Sequence, residues 1–199
     1  YYTAVSFSGN AGGRHFFIPF IPAYENISAS YYPQGYQSGY SNRTVRITGT
    51  SQPLWLYGFN VECGGRDIRR YDVEIQNSSN IRWLGLKREN GSIMLLNNVT
   101  NFALYSAGAM REQPRDGEGE FEIAGTRSNL LLANALVQQA ASSSTPAFTL
   151  LENITGQPAN SIMYPEGVSI YKRGTIDDSA MRLPSLAASA RRDSWAHCR

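Results

Sequence analysis

Cysteine and histidine are scarce in this chain of 199 residues, which holds two of each. His15 and His197 stand near opposite ends, and Cys63 and Cys198 are far apart in sequence. No Cys/His cluster is therefore written for zinc. With no G-x-S-x-G, a nucleophilic triad has no support either. No apolar run approaches the roughly 18 residues of a membrane span. Neither sign of charge dominates: 18 Lys and Arg against 16 Asp and Glu leave +2, which gives no argument for a nucleic-acid partner. G-x-G-x-x-G and the P-loop are missing, so no nucleotide or other cofactor is implied. The middle of the chain offers only Asp67 and Asp72 as aspartates, too few for a calcium cluster. The chain begins Tyr1-Tyr2, without a Met or a signal peptide, and reads as a mature or trimmed piece.

What is present is a repeat. "EIQNSSNIRWLGL" (Glu74–Leu86) and "LLNNVTNFALYS" (Leu95–Ser106) share one order of parts: strand-forming residues, a polar turn closing on Asn, then a second apolar run. Asn80 and Asn101 close those turns, and "FEIAGTRSNLLLANA" (Phe121–Ala135) closes on Asn129 with one extra residue before its turn. Repeats of this size built on short β runs indicate a stacked β-solenoid. Stacked coils would pair in parallel, with Asn80, Asn101 and Asn129 hydrogen-bonding along the stack. Strand alternation turns Val73, Ile75, Ile81 and Trp83 inward, and Asp72 and Glu74 outward.

The length suits one domain with a real core. Residues 1–50, rich in Tyr, Gly and Pro, read as a capping or covering segment ending in a first clear strand, "RTVRITGT". Residues 51–174 hold the coils, and 175–199 form a tail with a short helix broken at Pro184. In "YYPQGYQSGY", Tyr31, Tyr32 and Tyr36 read first as packing the loop onto the body, and are the candidates for stacking on sugar rings.

Six N-x-S/T sequons occur, at Asn26, Asn42, Asn77, Asn90, Asn98 and Asn153, where chance would give roughly two. They point to a secreted, extracellular, N-glycosylated eukaryotic protein, unless a turn composition rich in Asn and Ser inflates the count. In that compartment Cys63 and Cys198 allow one bridge tying the tail to the coils, or pairing of each with a segment or chain outside this sequence.

The run "LYGFNVECGG…YDVEIQNSSNIRWLGLKRE" resembles secreted right-handed parallel β-helix proteins of the pectate-lyase-like superfamily, nearest to the branch of fungal exo-β-1,3-glucanases. Tyr57, Asn60, Glu62, Glu74, Ile75, Asn80, Gly85, Lys87 and Glu89 carry the resemblance, and "VSIYKRG" (Val168–Gly174) looks like a closing strand. The resemblance implies the C-terminal coils of a longer parent. It also implies polysaccharide or glycan as partner, with glucanase-like glycoside hydrolysis as the activity. Hydrolysis needs two carboxylates across the scissile bond. Glu62, Glu74 and Glu89 are the catalytic candidates, with Lys87 and Arg82 beside Tyr31, Tyr32 and Tyr36 for substrate. The same Glu and Lys residues would also make a charge ladder between coils. The alternative is a non-catalytic structural or adhesion subunit that assembles with copies of itself, or with the rest of its parent, into filaments or wall-like material.

Overall fold

In the computed structural model of the chain, the residues described are 3–16, 43–61, 71, 73–89, 93–111, 120–139, 148–164 and 167–182. They form β1 (Thr3–Ser8), β2 (Gly13–Phe16), β3 (Arg43–Thr48), β4 (Leu54–Asn60), β5 (Val73–Glu89) and β6 (Met94–Arg111). β7 (Phe121–Gly125), β8 (Leu130–Gln139), β9 (Phe148–Ile154), β10 (Asn160–Tyr164) and β11 (Gly167–Arg173) follow, then a single 3-10 turn at Ser179–Met181. The fold is all-β with a mostly parallel sheet, compatible with a β-solenoid. β1, β3, β5, β6, β7 and β9 lie side by side in parallel, and β2, β4, β5, β6 and β8 make a second parallel series. The sequence reading begins the strands at Arg43; β1 and β2 precede it and pair with β3 and β4.

The chain bends where left-handed backbone recurs at equivalent places. After the first run of successive coils stand Gly49, Asn77, Asn98 and Gly125, at φ 69°, 48°, 54° and 89°. Within the later run stand Gly58, Gly85, Ser106 and Asn134, at φ 66°, 77°, 64° and 54°. Asn80 and Asn101 add a third such position, at φ 62° and 52°. Asn tolerates this region better than most side chains because its short amide bonds locally. The amides also link coils: Asn101 Nδ2 donates to Asn80 Oδ1 at 2.8 Å, and the Asn101 backbone N–H donates to Asn129 Oδ1 at 2.7 Å.

Period-two alternation puts every second residue into a shared core. Ile47, Ile75, Leu96 and Ile123 form one buried column, and Leu54, Ile81, Phe102 and Leu130 another. Leu56, Trp83, Leu104 and Leu132 form a third, in which fully buried Trp83 meets the Phe59 ring edge-on at 4.9 Å. Burying one such side chain contributes about 1.5–3 kcal/mol, so these columns hold the stack together.

The columns change character on the last rung. Glu152 occupies the position above Ile123, Arg173 the position opposite Leu130, and Tyr171 the position opposite Leu132. Tyr171 donates its hydroxyl to Glu152 Oε1, and Arg173 Nη1 lies 2.9 Å from the same oxygen. β10 and β11 add antiparallel to β9 and β8, so two parallel series end on reversed strands with polar interior residues between them.

Beyond β11 the chain runs back down the stack as a strap. Asn129 Nδ2 donates to the Thr175 carbonyl, Asn101 Nδ2 to the Asp177 carbonyl at 2.8 Å, and Trp55 Nε1 to the Met181 carbonyl at 3.4 Å. These contacts visit the coils in reverse order.

Candidate functional site

The catalytic candidates are not brought together among the described residues. Glu74 lies on β5, in register with Arg46 and Leu95, and is 9 % exposed. Its Oε1 accepts from Gln76 Nε2, and its Oε2 lies 3.8 Å from Arg46 Nε. Glu89 ends β5, beyond the bends at Asn77, Asn80 and Gly85. Glu62 and Asp72 lie outside the described residues, as do Tyr31, Tyr32, Tyr36, Cys63, Cys198, Asn26, Asn42 and Asn90.

Other carboxylates are also engaged. Glu122, on the same outer row as Glu74, accepts the hydroxyl of fully buried Tyr71 at 2.7 Å. Burial alone would raise the pKa of Glu152, but hydrogen bonds from Tyr171 and Asn160 and the charge of Arg173 hold it below the ordinary carboxylate value. The Tyr171 hydroxyl is pushed well above its usual range by burial and then by that carboxylate. No group of three or more His, Cys, Asp or Glu among the described residues is arranged to hold a metal.

The two substrate-binding candidates on β5 are separated. Arg82 is buried, with Nη1 donating to the Ile81 and Asn101 carbonyls and Nη2 to Asn101 Oδ1, the Asp177 carbonyl and Asp178 Oδ1. It anchors the strap. Lys87 is exposed beyond the Gly85 bend, in register with Asn60 and Gly108.

What the outer surface does offer is an apolar stripe that the sequence reading missed. Phe16, Tyr57, Leu84, Tyr105, Ala133 and Ile170 occupy equivalent outward positions on six adjacent strands. Phe16 and Ile170, at the two ends, are 73 % and 72 % exposed, and the four between them are partly exposed. The Phe16 and Tyr57 rings stack at 4.4 Å, and Trp55 lies parallel to Tyr57 at 6.4 Å. Six strands at about 4.8 Å spacing give a stripe roughly 24 Å long. Its signal was the outward parity of Tyr57, Leu84 and Tyr105, which becomes a line only once the register is known. Continuous exposed apolar surface of this kind marks a binding face more often than an idle one.

Compared with known proteins, the chain matches no family model, no curated protein and no solved structure. The pectate-lyase-like resemblance therefore rests on the residues that carry it. No helix among the described residues is long and apolar enough to cross a membrane.

Proposed function

We propose that the chain is a secreted, N-glycosylated, right-handed parallel β-helix of the pectate-lyase-like kind, and that it binds extracellular polysaccharide along one outer face. The hand follows from the general preference of strand–crossover–parallel strand connections for the right-handed turn. The observation that carries the binding role is the stripe from Phe16 to Ile170. A repeating polymer suits a repeating surface, and tyrosine offers an apolar ring face to a sugar and a hydroxyl to its polar rim. Glucanase-like cleavage would add a carboxylate pair to that face. Glu74, held by Gln76 and Arg46, is committed elsewhere, so binding is the part of the reading that the geometry supports best.

Assembly into filaments is the weaker reading. An open solenoid end invites stacking, whereas here the last rung carries Glu152, Tyr171 and Arg173 under two antiparallel strands. Affinity electrophoresis through gels containing β-1,3-glucan, mixed-linkage glucan or polygalacturonate tests the proposal. Retardation of the native chain by at least one polymer, lost in the Tyr57→Ala/Tyr105→Ala variant, is expected. Equal mobility in every gel would reject the binding role.

A further inference from the structure

We infer that Asn153 accepts an N-glycan and Asn98 does not; the inference rests on the secreted reading above. The fold itself explains an asparagine at 77 and at 98. Both are in left-handed backbone, where Asn is favoured over nearly every other non-glycine residue. Their amides touch: Asn98 Nδ2 donates to Asn77 Oδ1 at 3.2 Å, while Asn98 Oδ1 accepts from the Thr126 backbone N–H at 2.7 Å and from the Thr126 hydroxyl at 3.2 Å. The Arg127 N–H reaches the same oxygen at 3.4 Å. Both ends of the Asn98 amide are therefore used in joining three coils. A sugar on Nδ2 would replace one of its two hydrogens and set a bulky group against the Asn77 amide and the Thr126–Arg127 backbone, crowding the links between coils. Thr100, which completes the Asn98 sequon, is a strand residue in register with Ser79. The N-x-T pattern there is a by-product of a bend followed by a strand.

Asn153 differs on each count. It lies in β9 opposite Ala124, has ordinary extended backbone, and is exposed. Its side chain makes no hydrogen bond to another described residue. Asparagine is disfavoured in strands, so the fold gives no reason for it at this place, whereas a glycan does. Ile154 is buried beside it and anchors the segment, and Thr155 is exposed, as a sequon hydroxyl must be. Transfer forms a bond from Asn153 Nδ2 to the anomeric carbon of an oligosaccharide. That carbon's bond to its lipid diphosphate carrier breaks, and one amide proton leaves with the carrier.

The test is secretion of the full 199-residue chain from a eukaryotic host, then enzymatic deglycosylation in heavy-oxygen water and peptide mapping by mass spectrometry. Labelled aspartate at 153 and unlabelled asparagine at 98 are expected. Thr155→Ala, or Asn153→Gln if the first is not secreted, should remove one glycan's worth of gel mobility, and Thr100→Ala should remove none. Label at 98 in the folded, secreted protein overturns the inference. So does an unlabelled 153 alongside label at other sequons, an outcome that leaves the secreted reading standing. Absence of label at every sequon overturns both.

Discussion

Arg82 Nη2 and Asp178 Oδ1 lie 2.7 Å apart, yet the arginine side chain is 1 % exposed and the aspartate 77 %. The guanidinium sits beneath the strap and the carboxylate closes over it from solvent. Removing the two partners should therefore have unequal effects. Asp178→Asn is expected to cost about 1 kcal/mol, because water screens and partly replaces the exposed acceptor. Arg82→Ala removes a charged donor from the Ile81, Asn101 and Asp177 carbonyls and from Asn101 Oδ1, and should cost roughly 3 kcal/mol. Urea unfolding of the two single variants and the double variant measures both costs and their coupling. Equal costs would show that the strap is held by something other than this pair.

Two glycines at equivalent bends should respond differently to a methyl group. A Cβ on Gly125 would lie 2.2 Å from Asn98 Oδ1, whereas a Cβ on Gly49 meets nothing within 4 Å. Both have positive φ, so Gly49→Ala is expected to cost about 1–2 kcal/mol for the backbone alone. Gly125→Ala adds the loss of the Asn98 link and should cost at least twice as much, read from thermal midpoints.

The last rung should be the acid-sensitive end of the molecule. The Glu152 carboxyl is held below its ordinary value in the folded chain. Its contribution to stability is then complete above the unfolded pKa of about 4.3 and is lost as pH falls through the folded value. Protection factors of β11 amides, taken against the intrinsic exchange rate at each pH, should fall from pH 6 to about pH 3 more than those of β6 amides. In Glu152→Gln that difference should disappear. Asp177, lowered chiefly by hydrogen bonds from the Ser179 side chain and backbone, gives the strap a sensitivity of the same sign.

Ending the chain before Asn160 removes β10, β11 and the strap together, exposing the edges of β8 and β9 and the ends of the core columns. Such a truncated chain is expected to sediment as concentration-dependent oligomers, while the full chain stays at one size under the same conditions. A truncated monomer would mean that the polar last rung is not what closes the stack.

The coils were legible in the sequence because their signals are local. Asn80 and Asn101 mark bends, Asn129 accepts from the Asn101 N–H on the neighbouring coil, and the inward parity of Val73, Ile81 and Trp83 follows from strand alternation. A second amide contact, Asn77 to Asn98, was equally visible as N-x-x-N written twice, but the sequon pattern drew attention to sugar instead. The strap was not legible. Its partners are 46 to 126 residues away, and "TIDDSAM" carries no periodicity that would announce a docked segment. Glu152 was hidden for a different reason: in "FTLLENI" nothing says that the stack ends one rung later, and only that ending makes an inward carboxylate acceptable. Arg82 looked like a surface cation because arginine usually is one. The strap residues that meet it, Asp177 and Asp178, are 95 and 96 residues away.

The measurement that tests the proposed binding face most directly is hydroxyl-radical footprinting of the full chain with and without the polysaccharide that retards it. Protection is expected at Phe16, Tyr57, Leu84, Tyr105 and Ile170 together, with Lys87 and the β9 face unchanged. Protection elsewhere, with the stripe oxidised as fast as in the free protein, would contradict the proposed site.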